Sequence, residues 1–259
     1  MKKIKKTKII ATIGPSSSSS SIMEKMMIEG VDVFRINFSH AKHNEVKTII
    51  KRIREVDKKL SLNTAIIADL QGPKLRIGRM RKSSSLKVGD VITIDCKSQL
   101  VGNSKKLYVN YKDLAKDINE GEKILLDDGK IILKALSTNK KNQIKAEVMQ
   151  GGDLSSNKGF NLPNTKISLS PLTEKDIKDA ILAIKENVDW IALSFVRKKS
   201  DIESLLKIIN KNSEYSIPVI AKIEKPEALK NIDEILEVSS GLMVARGDLG
   251  VELQSSEIP

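Results

Sequence analysis

Short apolar runs, most of them closing on charged or polar side chains, recur along this chain, and their spacing limits what it can fold into. The runs are Thr7–Ile13, Val31–Phe38, Thr64–Leu70, Val188–Phe195, Pro218–Ile223 and Gly241–Val244. Helical patterns lie between them. Ile22–Glu29 is stopped by Gly30, and Val46, Ile49, Ile50, Ile53 and Val56 mark an amphipathic face. Thr173 with Asp176 opens a helix carrying Ile177, Ala180, Ile181 and Ile184; Ser200 with Glu203 gives a capping signal before Ile202, Leu205, Leu206 and Ile209. Strand starts fall roughly 25–30 residues apart, the length of one strand–helix unit, except between Thr64 and Val188, which holds a surplus of roughly 95. The surplus reads as β: Val91–Ile94, Lys106–Val109, Lys123–Leu126, Ile131–Leu136 and Ile144–Val148, punctuated by Asp128-Gly129 and Gly151-Gly152. The pattern predicts a parallel α/β host, residues 1–72 and 171–259, with an inserted β-rich domain at 73–170. Polar residues at the C-terminal ends of the strands suit a (β/α)8 barrel, whose active site lies on that face. A doubly wound sheet would also place its site there, but the chain has no Gly-rich fingerprint or Walker A sequence to favour one.

Chemistry concentrates in Val219–Gly250, where the fifth run delivers Lys222 and Glu224 and the sixth delivers Arg246 and Asp248. Residues two apart on a strand share a face, so each pair is expected to project together. Pro226, followed by Leu229, Ile232, Ile235 and Leu236, predicts one helix between the strands. A cation beside two carboxylates suits a divalent metal with an anionic, phosphate-bearing substrate. The alternative is a surface cluster of ion pairs. Arg35, Asn37 and Ser39 alternate onto one face at the end of the second run, and Asp69 and Gln71 close the third.

The net charge of +12 invites a nucleic-acid reading, but the charge is spread along the chain and aromatics make up only 3%, too few for base stacking. Lysines outnumber arginines 37 to 8, so an arginine at a strand end marks a place where a planar fork is needed. No apolar run approaches the roughly 20 residues that span a bilayer, so no membrane role is expected. The basic N-terminus resembles a signal peptide, yet its apolar centre, Ile9–Ile13, is interrupted by Thr12. The serine tract Ser16–Ser21 reads as a linker or as a loop ending in a helix cap. A single cysteine, Cys96, excludes an internal disulfide and fits a reducing cytoplasm.

The segments TKIIATIGPSS, FRINFSHA, DLQGPKLRIG, KGFNLP, SFVRK, AKIEKPEAL and MVARGDLGVE run in order over nearly the whole chain, which through them resembles the pyruvate kinase family. The resemblance implies an α/β fold, a (β/α)8 TIM-type barrel that is incomplete here, with the insert as a lid domain. It implies phosphoryl transfer from phosphoenolpyruvate to ADP, giving pyruvate and ATP. By position, Glu224 and Asp248 look like the Mg²⁺ ligands, and Lys222 like the cation over the transferring phosphoryl group. Arg35 is similar to the phosphate-contacting arginine. Ala245, Arg246 and Gly247, with Asp248, match the turn that contacts substrate. Asn37, His40, Arg76 and Lys158 match nucleotide-binding positions. Asn37, Ser39, Asp69 and the Leu70 carbonyl match the monovalent-cation site. Lys74 stands where K⁺-dependent members carry glutamate, so its ammonium is expected to serve in place of K⁺. Ser194 and Phe195 read otherwise as strand-end packing, and His43 and Arg197 as site support or plain surface.

The chain closes at Pro259, about two strand–helix units short of a barrel, and is expected to be an N-terminal portion of a longer, homotetrameric family. The alternatives are a non-catalytic remnant or binding module of the same family, or another Mg²⁺-dependent enolpyruvate enzyme on a barrel.

Overall fold

A computed structural model describes residues 6–39, 41–82, 84–253 and 255–258. In chain order the first stretch contains β1 (Ile10–Thr12), α1 (Ser20–Glu29), β2 (Val33–Asn37), α2 (His43–Leu60) and β3 (Ala65–Asp69). The insert contains β4 (Ser84–Leu86), β5 (Val91–Asp95), β6 (Lys106–Tyr108), α3 (Leu114–Asp117), β7 (Lys123–Leu126), β8 (Ile131–Thr138), β9 (Gln143–Gln150), β10 (Gly152–Leu154) and β11 (Phe160–Asn161). The rhythm then resumes with α4 (Glu174–Lys185), β12 (Trp190–Leu193), α5 (Lys199–Asn212), β13 (Val219–Ile223), α6 (Pro226–Lys230), α7 (Ile232–Leu236), β14 (Gly241–Val244) and α8 (Arg246–Glu252).

The chain forms two compact units. The first, residues up to Pro73 and Pro171–Val244, holds a parallel sheet in the order β1-β2-β3-β12-β13-β14. Consecutive strands are neighbours and every pairing is parallel, so each crossover is carried by helix, as parallel pairing demands. This is an incomplete (β/α)8 barrel. Its central strands are almost wholly apolar because both faces are covered: Ile66, Ala68, Ile191, Leu193, Val219 and Ala221 are buried. The serine tract is not a linker. Pro15–Ser17 form a 3₁₀ turn, Ser20 and Ser21 begin α1, and Gly30 ends it in the left-handed region.

Register places the polar residues level with one another. Asn37 lies opposite Asp69, and Asp69 opposite Ala192, while Leu193 pairs with Ala221. The end of β2, the end of β3 and the start of the loop after β12 therefore meet at one level.

The second unit comprises Lys74–Ser170 with Ala245–Pro259. Its main sheet runs β11-β7-β8-β9-β5-β6, mostly antiparallel, over a core that includes Ile92, Leu107, Tyr111, Leu126 and Val148. Ala245–Pro259 fall with this unit although the spacing had left them with the barrel; the Asn161 amide donates to Glu252 Oε1 at 3.1 Å.

Three local expectations change. Arg246 and Asp248 begin a helix rather than end a strand, so two residues of separation turns them apart instead of aligning them. The helix expected after Pro226 breaks at Asn231, whose amide donates to the Arg197 carbonyl at 2.8 Å. The helix expected from Ser200 starts at Lys199, with Asp201 rather than Glu203 reaching back to the Arg197 and Lys198 amides.

Candidate active site

Lys222 ends β13 on the same face as Glu224, as alternation requires, and both are buried. The Lys222 ammonium lies 2.9 Å from Glu224 Oε1 and 3.2 Å from Asp69 Oδ1, and it donates to Ser194 Oγ at 2.8 Å. Burial alone would lower the Lys222 pKa. The Glu224 and Asp69 carboxylates more than offset that and hold it above the ordinary lysine value. A buried ammonium is thereby kept charged.

The other side of Asp69 is taken by Arg35. Arg35 Nε donates to Asp69 Oδ2 at 2.8 Å, Nη2 reaches the same oxygen, and Nη1 donates to Thr12 Oγ1 at 3.0 Å. Because both arginine nitrogens use Oδ2, Oδ1 stays available to Lys222. Two cations and two carboxylates thus interlock across β2, β3 and β13, with Thr12 of β1 holding the guanidinium from outside.

The loop after β12 completes the cluster. Ser194 Oγ donates to the Leu70 carbonyl at 2.6 Å while accepting from Lys222, so Ser194 is a polar junction and not mere packing. Phe195 takes φ +56°, a costly conformation for a bulky residue, and its N–H donates to Glu224 Oε2 at 2.7 Å. Glu224 is therefore fixed by a backbone amide on one oxygen and by Lys222 on the other. Gly72, at φ +68°, passes so close that a Cβ there would sit 2.8 Å from the Phe195 ring.

The remaining expected residues divide between the units. Asn37 Oδ1 accepts the Ser39 amide at 2.9 Å in a local turn, beside a cleft of about 700 Å³ lined by Thr12, Gly14, Asn44, Thr48 and Arg52 among others. His40 lies outside the described residues. Lys74, Arg76, Lys158, Ala245, Arg246, Gly247 and Asp248 belong to the second unit. There Arg76 donates to the Asn157 carbonyl at 2.8 Å, and Lys158 lies 3.0 Å from Asp127 Oδ1. Arg246, Gly247 and Asp248 are exposed on the first turn of α8. Arg197 is buried, and His43 meets Asp179 at 2.8 Å. Thr12 was missed from sequence, and Ser194 was weighed there against plain strand-end packing. Thr12 is directly opposite Arg35 in register, a relation visible only once the strands are paired.

The donor set suits a hard cation, since Glu224 offers oxygen and is already desolvated. Among the described residues no cluster of three or more His, Cys, Asp or Glu gathers. An ion held by one or two carboxylates and completed by water or phosphate oxygens is the usual Mg²⁺ arrangement. Asn37, Ser39, Asp69 and Leu70 are likewise oxygen donors, as a monovalent cation needs.

The sequence matches the family described as pyruvate kinase, barrel domain, over residues 4–259. The chain belongs to the pyruvate kinase family. It is 42% identical over 257 residues to the pyruvate kinase of Staphylococcus haemolyticus (strain JCSC1435), covering 99% of this chain and 44% of that protein. Identity to the Geobacillus stearothermophilus pyruvate kinase is also 42%, over 98% of this chain and 44% of the relative. The crystal structure of a pyruvate kinase from Cryptosporidium parvum superimposes with a TM-score of 0.92 at 34% identity, covering 97% of this chain and 53% of that one. The chain thus spans less than half the length of these curated pyruvate kinases.

Proposed function

We propose that this chain carries the phosphoryl-transfer site of an enzyme that moves the phosphoryl group of phosphoenolpyruvate to ADP, giving pyruvate and ATP. The observation that carries the reading is Lys222, a buried ammonium held charged at the end of a barrel strand by Glu224 and Asp69. Phosphoryl transfer asks the protein for positioning and for charge opposite the equatorial oxygens, more than for covalent chemistry. Lys222 supplies that charge as a compact point, and Arg35, aligned by Thr12 and Asp69, supplies a fork for the phosphate. The Asp69 and Glu224 carboxylates keep both cations oriented before substrate arrives, which is where preorganisation gains its effect.

Glu224 and Asp248 would hold Mg²⁺. When bound, Mg²⁺ supplies Lewis-acid neutralisation of phosphate and enolate oxygens. Ala245, Arg246 and Gly247 would receive the substrate carboxylate at the entry to α8. Asn37, His40, Arg76 and Lys158 would receive the nucleotide, and the cleft beside Asn37 has the volume of a small-ligand site. Asn37, Ser39, Asp69 and Leu70 form the monovalent-cation position, with Lys74 bringing a tethered ammonium, so activity without added K⁺ is proposed. Cys96 is buried as a free thiol, in keeping with a cytoplasmic protein, and among the described residues no helix is long and apolar enough to cross a membrane.

The metal assignment is tested by Glu224→Gln and Asp248→Asn in the protein bearing this chain. Each is expected to lower Mg²⁺-dependent ATP formation by about 100-fold or more, since a ligand oxygen is lost at the reacting phosphate. Ordinary Mg²⁺ activation in both variants would remove the assignment.

A further inference from the structure

The first turn of α4 touches two loops of the candidate site that its own sequence pattern gave no reason to link. Asp176 is fully buried, and its carboxylate is divided between two tasks. Oδ2 accepts the Thr173 amide at 2.9 Å and closes the helix cap, while Oδ1 accepts the Gly72 amide at 3.0 Å. Gly72 follows Leu70 by two residues and packs on Ser194 and Phe195, so Asp176 fixes the loop after β3 from behind.

Lys175, the preceding residue, holds the loop after β2. Its ammonium donates to the Phe38 carbonyl at 2.6 Å and pairs with Asp179, one helical turn along and itself buried. Asp179 in turn meets His43, the first residue of α2, at 2.8 Å. The Phe38 amide donates to the Asp69 carbonyl at 3.0 Å. The peptide units flanking Phe38 are therefore gripped at both ends, by β3 through the N–H and by α4 through the C=O. Phe38 lies between Asn37 and Ser39, and that turn borders the cleft.

We infer that Lys175 and Asp176, with Asp179 and His43 behind them, are positioning residues that hold the β2 and β3 loops in register for nucleotide binding. A charged grip suits the task. Lys175 and Asp179 are opposite charges at i and i+4, so the ammonium is aimed before it meets the carbonyl. Asp176 is at once cap and anchor, so the loop after β3 is tied to the start of the helix and not to a side chain free to swing. This inference rests on the nucleotide role proposed for the Asn37 turn.

Amide exchange and ADP titration on the protein bearing this chain test it together. Lys175→Met is expected to raise exchange at Phe38 and Ser39, and Asp176→Ala at Gly72, by about tenfold, with Ile53 of α2 and Ala221 of β13 unchanged. ADP affinity, read by calorimetry with Mg²⁺ present, is expected to fall about tenfold in both, and Lys175→Arg to recover it to within about threefold, because the charge and reach are kept. Lys178→Met, on the exposed side of α4, is the control and should match the unaltered chain. Exchange that rises throughout the sheet would overturn the inference by making the contacts merely stabilising. Local loosening with ADP affinity intact would overturn it as well. An unaltered protein that binds no ADP overturns the nucleotide role and takes this inference with it, an outcome distinct from variants that bind as tightly as the unaltered protein.

Discussion

Gly72 and Lys222 are the two single positions on which most of the site's geometry depends. At Gly72 the backbone is left-handed, and any Cβ meets the Phe195 ring and Ser194. Gly72→Ala is expected to cost about 2 kcal/mol, combining a disfavoured φ with overpacking, and thermal unfolding would read it. A melting point within error of the unaltered chain would show that the loop simply moves. Lys222 makes a pH statement. Its folded pKa is raised, so the folded state holds this proton more tightly than the unfolded chain does. The stability it contributes is complete below the ordinary lysine value of 10.5 and is lost as pH rises through the higher folded value. In an NMR titration of the Lys222 Nζ and Cε, the ammonium should persist beyond pH 10.5; a midpoint below it would contradict the paired-carboxylate environment.

At the scale of elements, the second unit offers an independent check. Tyr111 of its core contacts Asp117 and lies 3.1 Å from Ser168 Oγ, tying α3 to the chain that returns toward the barrel. Burial and the hydrogen bond to Asp117 push its pKa up to about 12. A tyrosinate absorbance step near pH 12 is expected, and Tyr111→Phe should abolish it; an unaltered high-pH step in that variant would refute the assignment. How much of these elements could be read from sequence depends on the range of the forces involved. The helix opening at Thr173 was legible because its cap, Thr173 with Asp176, is local. The helix after Pro226 was read as continuous because its apolar spacing is sound, while the break at Asn231 answers to a partner far along the chain, the Arg197 carbonyl. Arg246 and Asp248 were read as a strand end because Gly241–Val244 is one, and a four-residue strand leaves alternation no span over which to fail. Lys222 and Glu224 were legible as a pair by alternation alone. The Ser194 junction was not, because serine at a strand end has no signature until Leu70 and Lys222 are brought beside it.

For the molecule as a whole, the six-stranded sheet ends at β1 and β14, and each edge leaves apolar surface exposed: Ile10 is 48% and Val244 57% accessible. Unpaired backbone beside such residues is a template for association. The 259-residue chain expressed alone is therefore expected to self-associate, and light scattering after gel filtration would detect it; a monodisperse monomer with a sharp melt would contradict it. Lys74 bears on conditions of assay. In the role proposed for Lys74, its ammonium would oppose K⁺ by about 1–4 kcal/mol at roughly 4 Å. Activity at matched ionic strength should then change little on adding KCl, whereas activation of about tenfold or more, equivalent to 1.4 kcal/mol of coupling, would assign Lys74 elsewhere. The most direct test is the rate of ATP formation from phosphoenolpyruvate and ADP by the protein bearing this chain, unaltered and as Lys222→Met. Removing a preorganised cation from the transferring phosphoryl group should lower kcat by about 100-fold to 1,000-fold. Turnover by Lys222→Met within about threefold of the unaltered protein, far less than such a loss, would contradict the role given to this ammonium and to the carboxylates that hold it.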